Sequence, residues 1–212
     1  MTPDIQPPYY PASDRNKQAI GDALAETFAN VTDVLEIGSG SGQHAVYLCK
    51  RFSHLQWQVS DQPQYLEGLR ANVEQSGCKN IRLPLELDVS SYDINGRDSN
   101  GGADADNAEY SFAYSANTAH IMSLEEVAAT FSVISHCLKS DGCYGLYGPF
   151  KENGLHNSDG NAEFDLMLQA EDSKKGIRDI AELEVMAEAH GMVLQNQIAM
   201  PSNNRILLWS KS

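Results

Sequence analysis

Residues 34–42 constrain the fold of this chain more than any other segment. A short apolar run, Val-Leu-Glu-Ile, leads directly into the sequence Gly-Ser-Gly-Ser-Gly. An apolar run of this length that ends at a glycine is typical of a buried parallel strand covered on both faces. After the glycines, Val46, Cys49 and Phe52 repeat at helical spacing. The segment therefore predicts a strand, a glycine turn and a helix, in that order.

The spacing of the glycines distinguishes this turn from other glycine motifs. A dinucleotide-binding fingerprint requires Gly or Ala at the position of Gln43, and a phosphate-binding loop would end in Gly-Lys-Ser/Thr. A nucleophile elbow would have Ser in place of Gly40. Because glycines let a ligand approach the main chain closely, the turn indicates a ligand site, with an ordinary structural turn as the alternative.

Acidic residues follow the next two predicted strands. Asp61 comes after the strand at residues 56–60, and Asp88 and Val89 come after the strand at residues 81–87. The carboxyl ends of parallel strands meet at one edge of the sheet, where open α/β folds bind their ligands. There the Asp61 carboxylate can accept hydrogen bonds from both ribose hydroxyls, and Asp88 or the Val89 main chain can meet the edge of adenine. These residues together predict a nucleoside site.

The alternation of elements along the whole chain predicts the fold class. Strands are predicted at residues 34–37, 56–60, 81–87, 110–116, 143–147, 192–200 and 205–210. Helices are predicted at residues 15–27, 43–52, 66–76, 124–138 and 183–190. The last two strands have only a turn-rich spacer between them, which favours an antiparallel hairpin. We therefore expect an α/β fold with a mainly parallel sheet, helices on both faces and a C-terminal antiparallel hairpin.

Length and local composition predict one domain that spans residues 1–212. A chain of this length corresponds to one domain and can bury a sizeable core. Residues 1–14, with four prolines, are expected to form an N-terminal extension. Residues 93–109 are rich in Asp, Asn, Gly and Ser, a composition that cannot offset its ordering entropy by burial. We expect that segment to be a flexible surface insertion.

Charge and cysteine usage limit the partners and the compartment. The formal net charge of −14 repels phosphate backbones, so nucleic acid is not expected as a partner. The first residues form neither a signal peptide nor a membrane anchor, which predicts a cytoplasmic protein without a membrane partner. The four cysteines lack the spacing of a zinc site, so we expect free thiols and no metal. Nothing in the pattern indicates an oligomeric state.

Motifs along nearly the whole chain resemble known methyltransferases. Residues 34–42 are similar to the first motif of the class I S-adenosylmethionine-dependent methyltransferases. A narrower resemblance is to an uncharacterised methyltransferase-like family, a domain of unknown function. It is carried by the motifs Arg15-Asn-Lys, Gly42-Gln-His-Ala, Trp57-Gln, Ser60-Asp, Ala116-Asn, Tyr147-Gly-Pro-Phe-Lys, Asn161-Ala, Phe164-Asp, Gly176-Ile-Arg-Asp, Met200-Pro and Asn203-Asn.

This resemblance implies a seven-stranded sheet that binds S-adenosylmethionine. The predicted cofactor contacts are Glu36, Gly38, Ser39, Gly40, Gly42, Asp61, Asp88, Val89 and Asn117. Two features depart from the family pattern: the insertion at residues 93–109 is longer than expected, and the fourth strand carries the polar residues Tyr114 and Ser115.

Methyl transfer from a sulfonium depends mainly on positioning, so the sequence offers catalytic candidates without a recognisable dyad. They are His44, Asn117, Tyr147, Arg178 and Asn203, with His120 and His156 in similar loop positions. We expect His120 to be a partly exposed histidine at a strand end. Arg178 either clamps a substrate carboxylate or pairs with surface acids. Residues 147–161 are expected to close over the substrate as a lid.

The methyl acceptor is left open by the sequence. The fourth strand ends in Ala116-Asn-Thr-Ala, without the Asn/Asp-Pro-Pro-aromatic segment with which some methyltransferases hold an exocyclic amine. A small molecule or a protein side chain is therefore the expected acceptor. Two other functions stay open: a non-catalytic S-adenosylmethionine-binding module with a protein partner, and a nucleotide-dependent oxidoreductase.

Overall fold

The computed structural model describes residues 8–92 and 110–212. In chain order, the strands are β1 (Asp33–Ile37), β2 (Gln56–Asp61), β3 (Ile81–Glu86), β4 (Tyr110–Ala116), β5 (Leu138–Gly148), β6 (Phe150–Glu152), β7 (Leu155–His156), β8 (Arg178–Asp179), β9 (Met192–Met200) and β10 (Asn204–Lys211). The helices are α1 (Pro11–Ala23), α2 (Ala25–Ala29), α3 (Gln43–Arg51), α4 (Leu66–Ser76), α5 (Leu124–Cys137), α6 (Asp159–Glu171) and α7 (Ile180–Glu188). None of the helices within this described part combines the length and apolar character needed to cross a bilayer.

Seven strands form one sheet in the order β3-β2-β1-β4-β5-β10-β9. Strands β1 to β5 are parallel, whereas β10 is antiparallel to both β5 and β9. This arrangement confirms the predicted α/β fold with a mainly parallel seven-stranded sheet and a C-terminal antiparallel hairpin. Because β1 lies between β2 and β4, the turn that follows it is near the middle of the edge where the parallel strands end.

Two hydrophobic clusters cover the two faces of the sheet. One contains Val127, Phe131 and Ile134 of α5 and Leu183 of α7. The other contains Ile20 of α1, together with buried side chains of α3 and α4. Strand β1 contributes to both, since Leu35 and Ile37 belong to the first cluster and Val34 to the second. Its residues 34–37 are all buried, as the apolar pattern predicts for a strand covered on both sides.

The N-terminal helix differs from its predicted bounds. It begins at Pro11 rather than at residue 15, and Leu24 separates α1 from α2. Proline suits the first turn of a helix, where its missing N–H costs no hydrogen bond and its fixed φ matches the helical value. Residues 11–14 of the predicted extension are therefore helical. The remainder of that extension up to residue 7, and the predicted insertion at residues 93–109, lie outside the described residues.

Residues 150–179, called the second unit below, contain elements that the sequence pattern did not predict. A three-stranded sheet has the order β7-β6-β8, and α6 follows β7. Ser158 caps α6 by accepting a hydrogen bond from the Asn161 N–H at 3.2 Å. Only Asp165 and Leu168 of α6 are buried, so the helix has little apolar periodicity. The elements β6 and β7 fall in the segment predicted to be a lid.

Candidate functional site

A cavity of about 510 Å³ lies at the edge where β1, β2 and β4 end. Its walls come from the start of α1, from the loops after β1 to β4, and from α3, α5 and the loop before β8. The lining residues are Tyr10, Ala12, Ser13, Ile37, Gly38, Ser39, Gly40, His44, Asp61, Gln62, Tyr65, Leu87, Val89, Ala116, Asn117, Thr118, Ile121, Met122, Glu126 and Lys175. The glycine turn and the two strands beside it thus meet at one cavity.

Three glycines of the turn after β1 have left-handed backbone conformations. Their φ values are 70° at Gly38, 56° at Gly40 and 74° at Gly42. A Cβ atom on Gly38 would lie 2.7 Å from Cγ2 of Thr118, which is closer than such atoms can approach. Glycine is therefore required both by the backbone and by the neighbouring β4 loop, and the main chain of the turn stays open to a ligand.

Asp61 connects the end of β2 to the glycine turn. Its carboxylate accepts hydrogen bonds from the Gly40 N–H at 2.6 Å and from the Gln62 N–H at 2.8 Å. Burial raises the pKa of Asp61, and these two main-chain hydrogen bonds oppose that rise. A carboxylate has about four lone-pair sites, so two bonds leave acceptor capacity for ligand hydroxyls. Asp61 lines the cavity, where such hydroxyls can reach it.

Glu36 lies beneath the turn and is not among the described residues that line the cavity. It is 2% exposed and accepts hydrogen bonds from Trp57 Nε1 at 3.0 Å and Ser39 Oγ at 2.9 Å. Burial raises the pKa of Glu36 to about 7, and the charge of Asp61 adds to the rise, against the effect of the two hydrogen bonds. The structure therefore places Glu36 behind the ligand-facing backbone.

The residues after β3 divide between the cavity and the solvent side. Leu87 and Val89 line the cavity and belong to the hydrophobic cluster on the α5 face. The Asp88 carboxylate instead accepts hydrogen bonds from the Ser90 N–H at 3.0 Å and the Ser90 hydroxyl at 2.7 Å. The structure brings the predicted contact Val89 to the cavity, whereas Asp88 is not among the described lining residues.

Asn117 follows β4 with a φ of 60°, a left-handed conformation that asparagine tolerates better than most residues. Its N–H donates to the Tyr147 carbonyl at 2.9 Å, and it lines the cavity beside Thr118. Two hydroxyls fix this loop, because Ser115 Oγ and Thr118 Oγ1 are 2.6 Å apart and Ser115 donates to the Ile37 carbonyl. The polar Ser115 thus connects β4 to β1.

His44 is buried in α3 and lines the cavity. Its Nε2 lies 2.7 Å from Oδ1 of Asn16, and its ring meets Tyr114 edge to face. Burial lowers the pKa of His44 to about 4, and the charge of Lys17 adds to this effect. The imidazole is therefore neutral at physiological pH.

Three of the catalytic candidates, Tyr147, Arg178 and Asn203, are absent from the described cavity lining. The Arg178 guanidinium donates to the main-chain carbonyls of Ala119, Met122 and Lys174. Its interpretation as a surface ion pair is wrong, since Arg178 is buried, and these carbonyl contacts give no support to a substrate clamp.

The other two lie near the ends of β5 and β9. Tyr147 is buried, which raises the pKa of its hydroxyl, and interaction with the side chains of Asn16 and Asn204 opposes that rise. Asn203 is exposed, and its carbonyl accepts hydrogen bonds from Asn157 and Asn161.

Neither of the two further histidines, His120 and His156, is among the described residues that line the cavity. His120 is 8% exposed and packs against Phe164, so the prediction of a partly exposed residue is wrong. Burial, with a contribution from Arg178, lowers the pKa of His120 to about 4. His156 lies 2.9 Å from the Asp165 carboxylate in the second unit.

Several lining residues carried no signal in the sequence. Tyr10 and Ser13 reach the cavity because α1 starts early, and the Tyr10 N–H donates to Gln43 Oε1 at 2.6 Å. Glu126 and Lys175 come from α5 and from the loop before β8. Pro11 at a helix start was the one available hint for the N-terminal wall.

The family of the chain follows from a match over nearly its full length. Residues 7–211 match the model of the family described as "Protein of unknown function (DUF938)". The chain belongs to the DUF938 family. This agrees with the predicted resemblance to an uncharacterised methyltransferase-like family.

Solved structures with the same fold connect this DUF938 protein to methyltransferases. An O-methyltransferase family protein from Burkholderia thailandensis has a TM-score of 0.77, 14% identity, and coverage of 95% of this chain and 57% of its own. Human N-acetylserotonin methyltransferase in complex with S-adenosylmethionine has a TM-score of 0.76, 13% identity, and coverage of 95% and 53%. A putative O-methyltransferase from Nostoc punctiforme has a TM-score of 0.76, 15% identity, and coverage of 94% and 56%.

These similarities establish the class I methyltransferase fold for the DUF938 chain. At this level of identity they show the fold alone, and the chain spans little more than half the length of each structure. Among residues 8–92 and 110–212, no three His, Cys, Asp or Glu side chains are grouped as metal ligands would be.

Proposed function

We propose that this protein is an S-adenosylmethionine-dependent methyltransferase that acts on a small molecule or a protein side chain. One observation carries the proposal: the backbone of the glycine turn and the Asp61 carboxylate face the same cavity. A nucleoside needs both of these features, a main chain without side chains in the way and a carboxylate for its ribose hydroxyls.

The residues of the cavity fit the parts of this cofactor. Leu87, Val89 and Met122 offer an apolar slot for adenine, and Asp61 offers acceptors for the ribose. The Asp61 carboxylate lines the cavity without a cationic partner among the described residues, so the local charge favours a cation. When bound, the cofactor supplies a methyl group on a positively charged sulfur.

The protein's contribution to the rate is mainly geometric. Displacement at a sulfonium needs little covalent help, and holding two reactants in line lowers a barrier by roughly 7–11 kcal/mol. The required elements are a fixed backbone at residues 38–40 and a fixed β4 loop at Asn117 and Thr118. The Ser115 hydroxyl provides that rigidity, because it donates to the Ile37 carbonyl of β1 and accepts from the Thr118 hydroxyl.

The net charge of −14 supports a small-molecule or protein acceptor rather than nucleic acid, because the chain repels phosphates.

Some of the catalytic candidates lie outside the described cavity lining, which favours a second function: a non-catalytic S-adenosylmethionine-binding module with a protein partner. Transfer of labelled methyl from the cofactor to a component of a cell extract would exclude that second function.

Calorimetry with S-adenosylhomocysteine tests the proposal. Asp61→Ala removes charge-assisted hydrogen bonds worth about 1.5–3 kcal/mol, so we expect the affinity to fall about tenfold or more. Asp88→Ala is the matched control, since its carboxylate contacts Ser90 and we expect an unchanged affinity. Equal affinities in all three proteins, or binding of NADH instead, would contradict the assignment.

A further inference from the structure

The cavity has two chemically different ends, on opposite faces of the sheet. The end near α5, called the α5 end, contains Leu87, Val89 and Met122 with the charged residues Glu126 and Lys175. Leu87 and Val89 belong to the cluster on that face, and Met122 packs against it. The charged side chains other than Asp61 thus lie with the apolar slot.

The opposite end, called the α1 end, is polar and has no cationic side chain among its described lining residues. Its lining residues Tyr10 and Ser13 are at the start of α1, and His44 is in α3, whose buried side chains belong to the other cluster. Asn117, which follows β4, also lines the cavity. Asp61 lies close to this end, because its carboxylate accepts from the Gly40 N–H and a Cβ on Gly40 would lie 3.2 Å from the Tyr10 ring. Of the described lining residues beside Tyr10, Ser13 and His44, none is Lys or Arg.

Asn16 determines which nitrogen of His44 carries the proton. An amide oxygen only accepts hydrogen bonds, so the 2.7 Å contact with Asn16 Oδ1 requires a proton on His44 Nε2. The neutral ring then has its lone pair on Nδ1. No hydrogen bond to Nδ1 is present among the described residues, and the ring lines the cavity.

The Asn16 side chain has a second neighbour in Tyr147. Burial raises the pKa of Tyr147, and interaction of its hydroxyl with the side chains of Asn16 and Asn204 opposes that rise. Asn16 thus connects Tyr147 of β5 to His44 in the cavity wall. Burial and Lys17 also keep the imidazole uncharged, which avoids repulsion of a cationic cofactor.

From these contacts we infer that the methyl acceptor is a neutral hydroxyl compound whose O–H is received by Nδ1 of His44, and that Asn16 is the positioning residue for this ring. The inference rests on the proposed methyltransferase function. An ammonium would first have to lose a proton, and a carboxylate would need a cationic partner, which the described lining residues beside Tyr10, Ser13 and His44 do not include.

The reaction balances without any further reagent. The acceptor oxygen forms its bond to the methyl carbon while the carbon–sulfur bond breaks and its electron pair stays on sulfur. The O–H becomes strongly acidic as the new bond forms, so its proton moves to Nδ1 even though this imidazole is a weak base. The imidazolium then releases the proton to water, and the products are a methyl ether, a thioether and a proton.

The tautomer of His44 can be measured without substrate or cofactor. Nitrogen-15 NMR of the full chain at neutral pH should report Nε2–H for His44, and Asn16→Ala should convert it to a mixture. Asn16→Asp keeps an acceptor oxygen and should restore the Nε2–H form. His54, whose Nε2 contacts the Phe28 carbonyl, serves as the internal control and should not change. An Nδ1–H tautomer in the wild type would overturn the inference.

Methyl transfer to chosen probes separates this inference from the proposed function. With catechol, 4-methylphenol, benzyl alcohol, benzylamine and benzoate as probes, we expect ethers alone. Asn16→Ala and His44→Gln should lower kcat roughly a hundredfold, with the affinity for S-adenosylhomocysteine unchanged. Methylation of benzylamine or benzoate only, or of none of the hydroxyl probes, would overturn the inference. The proposed function would still stand in that case if the wild type bound the cofactor. Loss of cofactor binding by the wild type would overturn both.

Discussion

Two buried carboxylates, Asp61 by the glycine turn and Asp165 in the second unit, have opposite electrostatic surroundings. Asp61 accepts main-chain hydrogen bonds and has no cationic partner among the described residues, and burial raises its pKa. Burial would also raise the pKa of Asp165, but hydrogen bonds from Ile177 N–H, His156 and Lys151 reverse the shift and lower it. The carboxylate without a cation faces the cavity, whereas the paired one stabilises the fold. Both side chains are buried, so the presence or absence of cationic partners, rather than burial, distinguishes the structural Asp165 from the ligand-facing Asp61.

Removal of the Asp165 carboxylate should produce the largest effect on stability. Asp165→Ala leaves Lys151, His156 and the Ile177 N–H without their shared acceptor, and the loss of one member of a buried pair costs about 3–5 kcal/mol. We expect a destabilisation near 3 kcal/mol, because Lys151 and His156 are partly exposed. Urea denaturation measures it.

The matched control for Asp165 is Asp159→Ala, at the exposed start of α6, which should cost little. The affinity of Asp165→Ala for S-adenosylhomocysteine should equal that of the wild type at a temperature where the variant is folded. A tenfold weaker affinity would show that the second unit forms part of the binding site, and the contrast with Asp61 would be lost.

Each region also has one buried histidine in it or packed against it, which makes the comparison sensitive to pH. His44 lies beside the cavity, and His120 lies against the second unit. Burial lowers the pKa of both from 6.5 to about 4. Between these values the unfolded chain binds protons that the folded chain does not. The contribution of the two histidines to the free energy of unfolding is therefore fully present above pH 6.5. It is lost as the pH falls toward 4, by about 3 kcal/mol for each histidine.

Urea denaturation at several values between pH 4.5 and 7.5 measures this loss. His44→Gln and His120→Gln should each flatten the profile by a similar amount. Comparison of each variant with the wild type cancels the opposite contribution of Glu36, whose pKa of about 7 makes the folded chain bind a proton between pH 4.5 and 7. A profile as steep as that of the wild type in either variant would contradict burial as the cause.

The sequence predicted the sheet well because its strands alternate with strong helices and are bounded by turn residues. The bounds of β4 and β9 agree with prediction, and the apolar run of β1 is buried throughout. Gly38 follows β1 and Asp61 ends β2, and these strands are neighbours both in the chain and in the sheet. For such local features, a pattern of residue types contains enough information.

The second unit was missed because its polar residues depend on distant partners. Arg178 donates to carbonyls 59 and 56 residues earlier in the chain, which no periodicity reveals. Helix α6 buries only two residues, one of them Asp165, so its apolar stripe is too short to recognise. The cavity wall at Tyr10 was missed for the same reason, since its main chain contacts Gln43, 33 residues away.

The smallest effects come from a pair of glycines, one in each region. Gly38 and Gly154 both have left-handed φ values, 70° and 78°, so alanine at either position costs about 1–2 kcal/mol in backbone strain. A Cβ on Gly154 would have no described atom within 4 Å, whereas one on Gly38 would meet Thr118 at 2.7 Å. Gly38→Ala should therefore destabilise more than Gly154→Ala, by about 1 kcal/mol.

Only the substitution in the turn should also affect the ligand, because Thr118 has to move and it lines the cavity. We expect Gly38→Ala to weaken S-adenosylhomocysteine binding at least fivefold and Gly154→Ala to leave it unchanged, as measured by calorimetry. If both variants lost stability equally and bound the ligand equally well, the turn would be an ordinary bend in the chain, as the second unit's Gly154 is. A difference confined to Gly38 would instead locate the ligand against its backbone.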